Sequence, residues 1–422
     1  MKHQKITNLL TVLLFVIPLA LGLILFAVLP DKDFSEEENR ELQGFPLTVE
    51  KLNDGTFLKD LTKGKFGQDM NEYFADQFPA RDALVGLKGL SELALGKGEN
   101  NGVVPGKDGQ LVVRWFDAYI DRLTRVYDTD FYAKESIDAQ TNALNKLQAE
   151  LAAQGLELTV MIPPRTLDVV GAQTNYPMQS TDALWADIDA GLDDSVCCLD
   201  LRETMQDAYA SGEYVYYRTD HHWTTKGAYM AYCALMNEWG KQSEIIPESM
   251  FTVETVEGFF GTTWSRAGLK FVGPDSLEIW HFEGEENYTV TDWTMRTEQN
   301  EQGKSYIDFV REDSFSGFYN REYLEQKDKY SVFLDGTHGI LTVKKNTDEQ
   351  RETLLVLKDS FLNSMVPFLA QHYDLVVINL SAGGVKPLSY YAEQFGCDGV
   401  LIVYNAENMI ENNALAGVRY AK

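Results

Sequence analysis

Hydrophobic and polar positions change texture several times along the chain. From Ile6 to Leu29 no charged residue interrupts the apolar run, which at ~1.5 Å per helical residue is long enough to cross the ~30 Å hydrocarbon core of a bilayer. Between Phe57 and Leu95 apolar residues recur at helical spacing, with Phe66, Met70, Phe74 and Phe78 ahead of Pro79. That spacing predicts a helical collar beside the first segment. The turn-rich stretches Asn100–Gly102 and Gly106–Gly109 mark a boundary, and Gln110–Val113 reads as the first strand of a larger domain. A periodic helix is predicted over Phe131–Gln154, stopped by Gly155, and Leu156–Ile162 follows as a buried strand.

The C-terminal part alternates in the same way. Strands are predicted at Thr353–Leu357, Asp374–Leu380 and Gly399–Tyr404, separated by helices at Phe361–Gln371 and Pro387–Phe395. Apolar strands with helices between them predict a mostly parallel sheet covered on both faces, an α/β doubly wound domain. From about 245 to 347 the pattern shifts to short aromatic runs such as Ser276–Phe282 and Tyr330–Leu334, which predicts a β-rich insertion. The expected organisation is a short N-terminus at 1–5, a transmembrane helix at 6–29, a juxtamembrane helical region at 30–105 and the α/β domain at 106–422.

Charge narrows the function. Across 422 residues, 64 Asp and Glu face 37 Lys and Arg, for a net charge of −27. So acidic a chain repels phosphate backbones, and nucleic-acid binding is not expected. A hydrophobic content of 44% supports a sizeable core rather than disorder. Cys197, Cys198, Cys233 and Cys397 include no CxxC pair, so a zinc ribbon or a thioredoxin-type site has no support. Lys2 and Lys5 precede the apolar run, whereas Asp31, Asp33, Glu36, Glu37 and Glu38 follow it. The positive-inside rule then sets a single-pass orientation with the large domain outside the cell membrane. A cleaved signal peptide is the rival reading, but the run is longer than the usual h-region and Val28-Leu29-Pro30 is a poor cleavage site.

Two segments carry candidate chemistry. Asp220-His221-His222-Trp223 stands just before a helix that Thr224 or Thr225 would cap. A carboxylate bonded to one imidazole nitrogen fixes the tautomer and frees the other nitrogen to take a proton from a hydroxyl. The plainer reading is a capped helix with a packed histidine. The second segment is Lys358-Asp359-Ser360-Phe361, where a hydrophobic strand meets a helix. A serine there lies at the carboxyl end of a parallel sheet, where open α/β folds bind ligands, and the helix N-terminus can support an oxyanion. Lys358 and Leu362 replace the glycines of a GxSxG elbow. Here too the plainer reading is an N-cap.

Together these segments resemble the DHHW family, close to the SGNH-hydrolase-like proteins that O-acetylate exopolysaccharides such as alginate. Asp220–Trp223 carries the resemblance, with Asp359-Ser360-Phe361, Asn363-Ser364, Pro367-Phe368-Leu369 and Tyr330–Gly339. Weaker echoes are Phe78–Asp82 and Gly106–Gly109. The resemblance implies an SGNH-like domain with Ser360 as nucleophile, His222 as general base and Asp220 as its orienting acid. It implies no cofactor and no metal. Lys358 stands where SGNH enzymes usually carry Gly, and Thr337 where the family tends to carry Asn. Thr337 and Asn363 are candidate oxyanion or substrate contacts, as are Arg165 and Trp223, and Trp264 and Tyr404 are further aromatic candidates for a sugar cleft.

The implied activity is a membrane-anchored serine O-acetyltransferase acting on a cell-surface or exported polysaccharide through an acetyl-serine intermediate. A multi-spanning membrane acyltransferase is the implied acetyl donor. An acetylesterase shares every catalytic residue, and a non-catalytic surface protein that binds glycan or a partner is the third reading. An Asp-His-His run also suggests a metal-dependent phosphoesterase, but apart from Asp359 no cluster of strand-end aspartates accompanies it.

Overall fold

The computed structural model describes residues 2–114, 133–171, 174, 181–383, 386–411 and 414–422. The chain divides into two compact units, Met1–Asn101 with Ser265–Phe271, and Gly102–Trp264 with Val272–Lys422.

The first unit begins with α1 (Lys2–Val28). Its stretch Ile6–Val28, with a mean hydropathy of 2.9, is long and apolar enough to cross a membrane, a character shared by single-pass anchors and signal sequences. The two-residue strands β1 (Phe34–Ser35) and β2 (Arg40–Glu41) pair after it. Helices α2 (Val49–Asn53), α3 (Thr56–Thr62), α4 (Lys65–Asp76) and α5 (Arg81–Ala94) form the predicted collar. Arg40 grips Asp76 through two hydrogen bonds, and Arg81 pairs with Glu38 at 2.6 Å.

The second unit opens with a ribbon of β3 (Val103–Pro105) and β4 (Leu111–Val113). Then come α6 (Ala133–Ala152), β5 (Glu157–Ile162), α7 (Thr166–Val170), α8 (Asp182–Gly191), β6 (Cys197–Asp200), α9 (Arg202–Ala210) and α10 (Thr225–Glu238). The predicted helix start at Phe131 falls outside the described residues. A second ribbon pairs β7 (Thr252–Phe259) with β8 (Asp275–His281). The remaining strands are β9 (Tyr288–Gln299), β10 (Ser305–Ser316), β11 (Ile340–Lys345), β12 (Thr353–Lys358), β13 (Asp374–Asn379) and β14 (Gly399–Val403).

Eight strands form the central sheet in the order β10-β9-β11-β13-β12-β14-β5-β6. The block from β13 to β6 is parallel, as the alternation of apolar strands and helices predicts. Successive residues of β12 serve opposite faces: Leu355 and Leu357 join one core cluster and Val356 the other, the two-residue period of a strand buried on both sides. The β-rich insertion is corrected in part. Only the β7–β8 ribbon stands apart, whereas β9, β10 and β11 continue the main sheet as antiparallel strands. Local pattern identifies such strands but not their partners, which hydrogen bonding to β13 fixes.

Two further expectations change. Tyr330–Val332 is a 3-10 turn, and Leu334, Asp335 and Gly336 follow in the left-handed region with φ of 57, 59 and 84 degrees. The helix expected over Phe361–Gln371 is a 3-10 helix at Ser360–Met365 followed by a short α-turn at Val366–Leu369. Pro367 lacks the N–H that would extend the helical ladder across this junction.

Candidate active site

Ser360 stands just beyond the carboxyl end of β12, which lies between β13 and β14 in the middle of the sheet. Asp359, not Ser360, is the N-cap. Its Oδ1 accepts from Phe361 N–H, while Oδ2 accepts from Asn405 N–H and Asn408 Nδ2. That frees the Ser360 hydroxyl for other work. Trp223 Nε1 donates to the Phe361 carbonyl at 3.0 Å and to Ser364 Oγ at 3.1 Å, and thereby ties the DHHW segment to the turn that carries the serine.

The two predicted segments meet. His222 Nε2 lies 2.6 Å from Ser360 Oγ, and His222 Nδ1 lies 2.5 Å from Asp220 Oδ1. Asp220 Oδ1 also accepts from His222 N–H, and Oδ2 accepts from the N–H and hydroxyl of Thr262. With both oxygens engaged, the carboxylate holds the imidazole in one tautomer, with Nδ1 protonated and Nε2 open toward the serine. Thr224 caps α10 by accepting from Gly227 N–H, as expected.

Burial alone would raise the Asp220 carboxyl, but the His221 and His222 rings outweigh it and hold the group well below the usual carboxylate range. His222 moves the other way from a protonated imidazole. Burial, the neighbouring His221 and Lys358 push it down against the pull of Asp220, so the ring is a free base at neutral pH. Burial also works against a charged His221, but Asp220 prevails and its imidazole is raised.

Several residues that sequence reasoning passed over build this site. Tyr330 stacks face to face on His222, with centroids 3.8 Å apart and planes at 6 degrees, and its hydroxyl donates to the Ser360 carbonyl at 3.0 Å. Fully buried Asp275 accepts from Tyr214 Oη, Arg218 Nε, Thr219 N–H and Thr219 Oγ1, fixing the residue immediately before Asp220. Gly261 lies so close that an added Cβ would fall 2.2 Å from Asp220 Cβ. Gly261→Ala is therefore expected to push Asp220 away from His222 and lower kcat by about 10²-fold, as an ångström-scale misplacement of a catalytic group does. An active Gly261→Ala enzyme with unchanged kcat would contradict that geometry.

The remaining candidates sort by burial. Arg165 is buried and lines a crevice with His221, Phe361, Asn405 and Glu407 beside the serine. Asn363 is buried and takes part in the scaffold: Lys358 Nζ donates to its Oδ1 at 2.6 Å, and its Nδ2 donates to the Gly336 carbonyl. Burial pushes the Lys358 amine down to about 8. Thr337 is exposed on the loop after that left-handed turn. Trp223, Trp264 and Tyr404 are corrected as sugar contacts, because all three are buried in the interior and have no face open for a ring to stack on. His221 is half-exposed and bonds Thr262 Oγ1 through Nδ1 at 2.8 Å.

Asp220, His221 and His222 place ligand-type atoms within 4.8 Å of one another. Asp220 Oδ1 and both His222 nitrogens are already engaged in the chain to Ser360, however, and Asp220 Oδ2 accepts from Thr262, so a metal ion bound there would have to displace these bonds.

A parallel sheet that delivers a serine at its central strand end, facing an Asp–His pair, defines an SGNH-hydrolase-like domain. Residues 103–263 match the family described as the SGNH hydrolase-like domain of acetyltransferase AlgX, which bears out the resemblance read from the DHHW run. Among solved structures, PatB1 of Bacillus cereus carrying a sulfonyl adduct is similar at a TM-score of 0.56 and 20% identity, over 74% of this chain and 98% of that one. A DHHW family protein from Eubacterium siraeum is similar at a TM-score of 0.52 and 21% identity, over 76% of this chain and 99% of that one. At such identities the likeness concerns the fold. No protein of curated function matches the sequence.

Proposed function

We propose that this protein is a membrane-anchored, extracytoplasmic serine O-acetyltransferase that modifies a cell-surface or exported polysaccharide. The observation that carries the reading is the Asp220–His222–Ser360 relay, with contacts of 2.5 and 2.6 Å. His222 Nε2 takes the Ser360 proton as the oxygen attacks an acetyl carbonyl, and Asp220 stabilises the imidazolium that forms. The Ser360 N–H, at the head of the 3-10 turn, receives the oxyanion. The tetrahedral intermediate collapses as the donor's leaving group departs with the proton from the imidazolium, so the acetyl group rests on Ser360 and the ring is neutral again. A sugar hydroxyl then gives its proton to that ring as it attacks the acetyl ester, and Ser360 leaves with the proton returned to its oxygen. A multi-spanning membrane acyltransferase supplies the acetyl group from the inner side, and α1 keeps the domain beside it.

The direct test is mass spectrometry of the full chain after mixing with 4-nitrophenyl acetate. One acetyl group on the peptide containing Ser360, absent from the Ser360→Ala variant, is expected. Acetylation at scattered lysines with none at Ser360 would overturn the reading.

The pH profile follows from the same geometry. The base acts only as the neutral ring, so the rate falls as pH drops through the His222 pKa. Because that pKa is lowered, the acid limb is expected on the acid side of the usual imidazole value of about 6.5. His221→Gln removes a neighbouring cation and is expected to move the limb to higher pH. A limb that does not move in His221→Gln would remove His221 from the electrostatics of the base.

A further inference from the structure

The collar has far more apolar surface than core. Among the described residues of α2 to α5 only Asp69 and Gly89 are buried, whereas Phe74, Phe78, Leu84 and Leu87 are 44 to 62% exposed. Helix α5 shows the asymmetry. Its Gly86 and Gly89 lie against Lys270, Asn100 and Leu269, and Leu84 and Leu87 project from the other side of the helix. A water-soluble helix turns its apolar stripe inward, so this stripe needs a cover.

The contacts of α4 say what the cover is. Phe26 of α1 packs on Tyr73 and Phe74 with centroids 5.6 and 5.5 Å away. Beyond them, the Phe78 ring touches the position of Gly22 at 3.4 Å, and the Tyr73 hydroxyl reaches Asp31. Helix α4 therefore runs antiparallel to α1, and its C-terminal end descends alongside the apolar span. Gly22 lies about 10 Å of helix before Leu29, a depth that matches the ~5–10 Å to which interfacial helices bury their apolar faces.

We propose that the collar rests in the outer headgroup–acyl boundary of the bilayer, with Phe74, Phe78, Leu84 and Leu87 as its inserting side chains. The proposal rests on α1 being a retained anchor. Aromatic rings at the mouth of a span are suited to this boundary. The arginines nearby are paired, Arg40 with Asp76 and Arg81 with Glu38, and Lys88 beside Leu87 pairs with Glu92, so the attachment is apolar and does not call for anionic lipid.

The experiment uses the full chain in nanodiscs of phosphatidylcholine with brominated acyl chains, which quench tryptophan at close range. All seven native tryptophans lie beyond residue 114, and the wild type supplies their background. Phe74→Trp and Leu87→Trp are expected to lose emission as Leu14→Trp in α1 does, in 0.5 M salt as well as without it, whereas Lys63→Trp, between α3 and the N-terminal end of α4, keeps its emission. Quenching at Leu14→Trp with none at positions 74 and 87 would overturn the proposal and leave the apolar face to a protein partner. No quenching at Leu14→Trp would instead overturn the anchor reading on which it rests. Strong dependence on added anionic lipid would also count against it, since Arg40, Arg81 and Lys88 beside the apolar residues are already paired with acids.

Discussion

Ser360→Ala and His222→Ala are each expected to lower acetyl transfer and acetyl-ester hydrolysis by about 10⁴- to 10⁶-fold, with the double variant no worse than either single one. The non-additivity follows from the relay. Without the hydroxyl there is nothing for His222 Nε2 to deprotonate, and without the ring the serine keeps its proton at neutral pH. Asp220→Asn should fall by about 10⁴-fold for a different reason, because an amide that donates toward Nδ1 favours the wrong tautomer. Thermal melting should barely move in Ser360→Ala, since the half-buried hydroxyl serves no cap; that duty belongs to Asp359. Steady-state kinetics on a small activated ester, run beside the melting curves, checks both parts. Full activity in Ser360→Ala would remove this serine from the chemistry.

Asp275→Ala is expected to lower stability by about 3 kcal/mol and to reduce kcat with it. The side chain is fully buried and accepts four hydrogen bonds. Its loss leaves the Tyr214 hydroxyl and the Thr219 N–H unsatisfied and the Thr219 hydroxyl with only a long bond to the Phe259 carbonyl, at about 1–3 kcal/mol for each unpaired group that water cannot reach. The Arg218 side chain is 41% exposed, so solvent takes over its charge and that pair contributes little to the loss. Because Thr219 adjoins Asp220, the unfolding midpoint and kcat should fall together. Asp275→Asn restores some of the bonds and should recover part of both. A wild-type melting curve for Asp275→Ala would show that the segment is held by something else.

The parts of this site that sequence revealed are those whose signal is local. A strand running into Asp359-Ser360 and a carboxylate two residues from a histidine are chemical statements about neighbours, and both segments fold as their residue types suggest. The parallel block of the sheet was legible for the same reason, since strands buried on both faces read as continuous apolar runs. What remained hidden lies far away in the chain. Tyr330 opens a stretch that carries the family resemblance, but nothing in its local pattern assigned it to the site, and only the fold brings its ring onto His222. Asp275 follows Gly273-Pro274 and reads as a turn residue; Thr262 carries no signal. Trp264 and Tyr404 misled in the opposite direction, because large aromatics suit a sugar cleft and a protein core equally well until burial is known.

The position of β14 carries a consequence for biogenesis. In chain order this strand follows every other strand of the sheet, yet it sits between β12 and β5 and hydrogen-bonds to both. Until it arrives, β5 and β6 have no bond to the rest of the sheet, and the pairings that join them span some 240 residues of sequence. Contacts that distant form late and slowly. In a chain of this design β5 and β6 therefore stay apart from the rest of the sheet until β14 has been made, and closure of the sheet follows the synthesis of that strand.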